Sequence, residues 1–303
     1  MKKIITAALI SALILGASGC AAHKPEDRQT PDKTSIIEYE SDTIAEPTPI
    51  YDNTAVVSAY KSGDASKLSE FDKAVYDAAI AGVNAFYREG MSDEEIVLAA
   101  HDYIVTLSTY DIDNLALIPK RSENSESPYG ALINKRAICM GYTTSFQMFM
   151  DMLGVESIIV RGEAHDEEHA WNMVHIGENW YHVDCTWDDF VPDYEGRRAF
   201  HIYCMITDSS AEKEHKWNRE SAPKAESDDL NYYRANNLYA ESDEQVKNIL
   251  TAAVESGFAD VEFAVPKQCD TPIPPIDGVS GYSIWKSELD TYDVAVVHIG
   301  LDE

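Results

Sequence analysis

Three side chains of this 303-residue sequence have the types that thiol chemistry needs: Cys139, His169 and Asp184. Cys139 lies near the start of RAICMGYTTSFQMFMDMLG, residues 136–154. Cys139, Tyr142, Phe146, Phe149 and Leu153 recur there at steps of three and four, and Gly154 supplies a stop. That period predicts a helix with one apolar stripe and puts the thiol in its first turn. The positive end of the helix dipole favours the thiolate, which is the nucleophilic form. A lone cysteine on an apolar stripe is also an ordinary buried hydrophobe, so the nucleophile reading depends on partners further along the chain.

Thiolate attack on an amide needs a group that protonates the leaving amine and a second group that fixes the tautomer of the first. A predicted hairpin brings His169 and Asp184 into those roles. Residues 170–176 and 180–186 are β-rich runs around Gly177-Glu178-Asn179, and Gly177 suits the positive φ that opens a type II′ turn. A two-residue loop at 177 and 178 pairs Ile176 with Asn179. It then sets Trp171 opposite Asp184 and His169 opposite Thr186. His169 and Asp184 become diagonal neighbours on one face, roughly 7 Å apart at Cβ, which an imidazole can bridge to a carboxylate. A one-residue slip would send them to opposite faces.

A metal reading competes for the same histidine. His165-Asp166-Glu167-Glu168-His169 fits H-x-x-E-H, a zinc-protease signature that requires a helix. Here it follows Gly162 and runs into an alternating β segment, so no metal and no cofactor are expected. His175 and His182 are taken as exposed residues of the hairpin strands.

The elements that must position this set are also legible. Leu68, Phe71, Val75, Ala79, Val83 and Phe86 predict a helix within 66–90, closed by Gly90. Ser92 with Glu95 is a capping box for a second helix, buried through Ile96, Tyr103, Ile104 and Leu107. Residues 111–127 lose all period and form a surface loop. Val155–Val160 is a strand ended by Arg161-Gly162, with an acidic loop at 163–168. Another strand is expected at 200–206 and a boundary at SAPKAESDD, residues 221–229. Beyond it come a helix at 242–257 and strands at 261–265 and 292–299, with no chemical motif.

CMGYTTSF at Cys139, HAWNMV at His169 and WYHVDCTWDD around Asp184, with the LGV turn at Gly154, resemble the transglutaminase-like superfamily of papain-type thiol enzymes, in its bacterial, exported branch. The resemblance covers about residues 66–218. It implies an α+β fold in which the cysteine helix packs on an antiparallel sheet, and acyl chemistry on amides through a thioester. It makes Cys139 the nucleophile, His169 the general base and acid, and Asp184 the orienter. The backbone N–H of Cys139 would be one oxyanion donor; Tyr129 and Tyr103 are candidates for a second. Because the superfamily holds peptidases, cross-linkers and inactive scaffolds, three outcomes stand. A cysteine peptidase is favoured, and a cross-linking transglutaminase and a non-catalytic surface binding scaffold are the alternatives.

Composition sets the surroundings. A formal net charge of -29 opposes binding to nucleic acid or anionic lipid, and 45% hydrophobic residues suffice for a sizeable core. Lys2 and Lys3, the apolar run Ile4–Leu15 and the small residues Gly16–Gly19 form an export signal over 1–20. It resembles a bacterial lipoprotein signal, with Cys20 as the residue that takes the lipid, although Ala17 stands where leucine is usual. Plain cleavage and secretion is the competing outcome. The protein is thus expected at the extracytoplasmic face of the cell membrane, acting on a peptide, protein or peptidoglycan-peptide amide. Residues 21–60, with Pro25, Pro31, Pro47 and Pro49, are expected to be a disordered tether. The expected domains are 61–220, carrying the catalytic set, and a small α+β module at 228–303. Of the five cysteines, Cys185 and Cys204 are either a pair or two buried free thiols, and Cys269 is left over.

Overall fold

This computed structural model describes residues 35–37, 49–112, 124–189, 199–267, 273–277 and 279–301, and among these three long α-helices precede the cysteine. They are α1 (Thr54–Ser62), α2 (Glu70–Phe86) and α3 (Asp93–Leu107). Ser69 caps α2 by accepting from the Asp72 N–H. Ser92 caps α3 in the expected capping box, with Glu95 returning to the Ser92 N–H at 2.7 Å. The export signal, Cys20, most of the tether, residues 113–123 of the surface loop and Cys269 lie outside the described residues.

Two pieces of the expected tether are structured. Strand β1 (Ser35–Ile37) pairs in parallel with a central strand of the main sheet. Helix α1 buries Val56, Val57 and Ala59, and Asn53 Nδ2 donates to Asp151 Oδ2 at 2.6 Å. Nine helical residues beside a proline-rich stretch give too short an apolar period to be recognised, and packing against the cysteine helix supplies the stability that the local sequence lacks.

That helix, α4 (Cys139–Leu153), follows a short parallel pair, β2 (Thr109–Tyr110) and β3 (Arg136–Ala137), and a π-helical turn at Tyr129–Asn134. Gly154 closes it in the left-handed conformation with φ 82°, as expected. Its burial differs from the single stripe predicted. Met140 to Met150 are all buried, because helices α1 to α3 cover one side and the sheet covers the other. Polar residues on the sheet side are therefore paired: Thr143 Oγ1 donates to the Ala170 carbonyl at 2.8 Å, and Gln147 Nε2 donates to Ser157 Oγ at 2.8 Å. Tyr142, Phe146, Met148, Phe149 and Met150 are fully buried, and each such side chain contributes about 1.5–3 kcal/mol.

The main sheet runs β1, β4 (Ser157–Ala164), β5 (Glu167–Ile176), β6 (Asn179–Val183), β7 (Cys204–Ile206), with β8 (His215–Trp217) on the far end of β4. The β5–β6 hairpin has the predicted register, with Ile176 opposite Asn179 and Asn172 opposite Val183. Gly177 has φ 64° while Glu178 stays at negative φ, as a type II′ turn requires. Arg161-Gly162 does not end β4, which continues to Ala164. Gly162 is needed there: a Cβ would lie 2.1 Å from the Lys216 carbonyl of β8 and 2.8 Å from the Trp171 ring.

The C-terminal residues form α5 (Asp243–Glu255) and a three-stranded sheet ordered β10, β11, β9 from β9 (Asp260–Pro266), β10 (Val279–Glu288) and β11 (Tyr292–Leu301). Strand β10, largely exposed and mixed in polarity, carried no recognisable period. One face of this sheet packs under α5 through Val246, Leu250, Phe263 and Val297. The other, through Ala264, Tyr292, Val294 and Val296, shares an apolar cluster with Trp171, Met173 and Trp217 of the main sheet. The whole is α+β, as expected, with a mixed main sheet.

Candidate active site

Cys139 is the first residue of α4 and is partly exposed. Its N-cap is Ile138, which offers no side-chain acceptor, so no side chain caps the first turn, where the Gly141 N–H donates to the Ile138 carbonyl at 2.8 Å. Gly141 makes this start compact. A Cβ at Gly141 would lie 2.5 Å from the Ser125 carbonyl and 2.6 Å from the Ala137 side chain, so only glycine lets the end of the 111–127 loop press on the first turn. That end is pinned through Asp111, which accepts from Ser125 Oγ at 2.7 Å and from Arg136 Nε at 2.8 Å.

The structure brings Cys139, His169 and Asp184 together. The Cys139 thiol lies beside the His169 ring and helps to raise its pKa. His169 Nε2 lies 2.6 Å from Asp184 Oδ2, which leaves Nδ1 as the ring atom for the thiol. His169 is placed by a tight β4–β5 turn at His165 and Asp166, whose φ values of 49° and 62° are those of a type I′ hairpin turn. The acidic loop expected at 163–168 is thus two residues long, and the helix that H-x-x-E-H requires is not formed.

Burial opposes charge on His169, but the Asp184 carboxylate and then the thiol outweigh it and push the imidazole up to about 10. Burial likewise opposes ionisation of Asp184. The His169 charge and the hydrogen bonds from His169 and His215 outweigh it and hold the carboxyl well below the usual carboxylate range. Its four acceptor positions are filled: Oδ1 takes the N–H groups of Thr186 (2.9 Å) and Trp187 (3.2 Å), and Oδ2 takes His169 and His215. The pair is therefore an imidazolium on a fixed carboxylate across neutral pH.

His215, absent from the predicted set, is the additional residue that the structure places against Asp184. Its Nε2 stands 3.0 Å from Asp184 Oδ2, and its ring packs among Trp171, Trp187 and Tyr203. It arrives on β8, opposite Ala164 in a long-range pairing that no local spacing announces. Trp187 stacks on His165 and lies 5.9 Å from the His169 ring, shielding the imidazole–carboxylate pair from water.

The three aspartates of WYHVDCTWDD take separate partners. Asp184 holds His169, Asp189 accepts from the Tyr142 hydroxyl of α4, and Asp188 Oδ2 lies 3.0 Å from His101 Nε2 of α3. The motif thereby ties the hairpin to two helices.

Other expectations are corrected. Tyr103 packs on Phe86 and Phe149, and Phe149 lies about 15 Å along α4 from Cys139. The Tyr103 ring therefore serves packing away from the thiol. Tyr129 stacks on Phe71 at 4.9 Å. His182 is buried rather than exposed: Trp171 Nε1 donates to its Nδ1 at 2.9 Å and its Nε2 lies 2.9 Å from Asp208 Oδ1. Burial lowers its pKa and favours the neutral ring that this pattern needs. His175 is half-buried against Glu156. Cys185 and Cys204 are buried free thiols whose pKa values burial raises, which makes both inert.

Residues 82–185, which contain Cys139, His169 and Asp184, match the model of the transglutaminase-like superfamily. The kyphoscoliosis peptidase of Mus musculus is 24% identical over 133 residues, 40% of this chain and 20% of that protein, so the chain spans a fifth of that relative's length. A solved structure titled as a TGase covers 48% of this chain and 41% of its own at 19% identity, with a TM-score of 0.34. Another, from Cytophaga hutchinsonii and described as a candidate cysteine protease, covers 37% of each chain at 18% identity, with a TM-score of 0.30. At these scores the two structures add no weight, and the assignment rests on the family match, the peptidase and the α+β architecture. Over residues 82–185 the chain carries a domain of the transglutaminase-like superfamily.

Proposed function

We propose that this protein is a thiol-dependent amide hydrolase or acyl transferase, with peptide-bond hydrolysis as its main activity. The observation that carries the reading is His169 set between the neighbouring Cys139 thiol and the Asp184 carboxylate, to which it is bonded at 2.6 Å. In the forward step the Cys139 sulfur attacks the amide carbon, and the carbonyl oxygen takes up charge against the Cys139 N–H. His169 then gives its proton to the leaving nitrogen, the C–N bond breaks, and a thioester remains on Cys139. Water attacks the thioester, returns a proton to His169 and releases a carboxylic acid.

Hydrolysis is favoured over transfer because Cys139 is partly exposed, whereas transfer to an amine needs a thioester walled off from water. The mouse relative's name, a peptidase, points the same way. The basic start, apolar run and small residues before Cys20 support export and lipid attachment, so the substrate is sought among peptide, protein and peptidoglycan-peptide amides. The mass of the mature N-terminus checks this placement, since an unmodified terminal cysteine contradicts the anchor. Product partitioning decides the chemistry. An amide substrate supplied with excess primary amine is expected to give mainly the free acid, and amide product dominating at millimolar amine would make the protein a cross-linker.

A further inference from the structure

Outside the thiol site, a second set of histidines and acids is buried where α3, the segment before β7 and strand β9 meet. His101 Nδ1 and His201 Nε2 stand 3.0 and 2.9 Å from one oxygen, Asp102 Oδ1. The opposite nitrogen of each ring is held by a different carboxylate: His101 Nε2 lies 3.0 Å from Asp188 Oδ2, and His201 Nδ1 lies 2.6 Å from Glu262 Oε1. Those outer carboxylates are themselves fixed. Asp188 accepts from the Tyr203 N–H at 3.0 Å, and Glu262 accepts from the His201 N–H at 2.9 Å and the Tyr233 hydroxyl at 2.8 Å.

A neutral imidazole carries one N–H. Without a cation the surrounding carboxylates outweigh burial and raise both imidazoles, His201 to about 10, so that protons fill the gap. With both rings neutral the outer carboxylates claim the one N–H of each, which leaves lone pairs at His101 Nδ1 and His201 Nε2 aimed at an anionic oxygen. Three electron-rich atoms then converge on one point, and either extra protons or a cation must lie among them. Histidine nitrogens that bind metal characteristically donate their other N–H to a carboxylate, which is the pattern on both rings here. Tetrahedral bonds of about 2.0–2.2 Å put donors about 3.3–3.6 Å apart. The observed 2.9 and 3.0 Å need an outward relaxation of only a few tenths of an ångström, and all three donors already lie within 4.8 Å of one another. Asp102 has a side chain 45% exposed, giving an entry path and room for a water as fourth ligand, while both histidines are buried. The His169–Asp184–His215 group meets the same distance test but lacks the supporting carboxylates: its outer nitrogens face the thiol and, at His215 Nδ1, no hydrogen-bond partner.

We propose that His101, Asp102 and His201 bind one divalent ion of the zinc class, two imidazole nitrogens and one carboxylate oxygen being ligands that suit it. The ion fastens β9, through Glu262 and His201, to α3. It also braces the catalytic turn, because Asp188 is bonded to His101 and its N–H donates to the Asp184 carbonyl at 3.3 Å.

The test uses the full chain carrying Cys139→Ala, so that the exposed thiol cannot capture metal, after stripping with a chelator. Titration with cobalt(II), a spectroscopic stand-in for zinc, is expected to give one equivalent bound with the visible absorption of a four-coordinate N/O site. Zinc is expected to displace it and to raise the Tm by about 5–10 °C at a hundredfold excess over Kd. Asp102→Asn and His201→Gln, checked for fold by circular dichroism, should each weaken binding at least tenfold, and Glu262→Gln by about 10–100-fold. His215→Gln should leave it unchanged. Absence of the cobalt band in the folded parent protein, or several weak equivalents on the acidic surface, overturns the site. So does binding that survives Asp102→Asn and is lost in His215→Gln.

Discussion

Cys139→Ala is expected to lower amide turnover by at least about 10³-fold while the fold remains intact. Without the thiol no thioester forms, and only the first-turn N–H groups and substrate binding remain to help water attack directly. His169→Ala is expected to match it within about tenfold, because nucleophile and base act as one unit and losing either removes the shared step. The fold should persist because Cys139 is only partly buried and contributes little to the core, which rests on Tyr142, Phe146 and Phe149. Circular dichroism and turnover of a peptide amide, measured together, check both outcomes. Activity that outlives the thiol and vanishes with a chelator would transfer the chemistry to a histidine–carboxylate site.

Asp184→Asn has the second large effect, and its signature is in pH. His169 must be protonated to give the leaving nitrogen its proton. With a pKa of about 10, that form persists until the pH rises through this value, which sets the alkaline limb of kcat/KM. The asparagine removes the charge that opposes burial most strongly at His169. Burial then lowers the imidazole, and the limb is expected to move down by about 1–3 pH units. The maximum should fall by about 10²–10³-fold rather than to zero, because the carboxylate orients the base without touching substrate. A profile whose alkaline limb stays put would show that Asp184 does not govern His169.

The parts legible from sequence are those fixed by local chemistry. The Ser92–Glu95 capping box, the Gly154 stop and the Gly177 turn each specify backbone within a few residues. The last of these sets the register that delivers His169 to Asp184. His215 was hidden because it joins Asp184 through the pairing of β8 with β4, which depends on how far apart segments meet. Likewise His182 alternates on a strand as an exposed residue would, yet it is buried through its bonds to Trp171 and Asp208. The chain from Asp188 through His101, Asp102 and His201 to Glu262 draws on four separate stretches, none of which shows metal-ligand spacing by itself.

The most direct test of the central claim is the rate at which each cysteine of the folded protein is alkylated by iodoacetamide, read residue by residue by mass. Cys139 is expected to react first and to slow at least tenfold in His169→Ala, while Cys185 and Cys204 stay unmodified until the protein unfolds. Faster modification of Cys185 or Cys204 in the native state, or a Cys139 rate indifferent to His169, would contradict the thiol–imidazole pair on which the account rests.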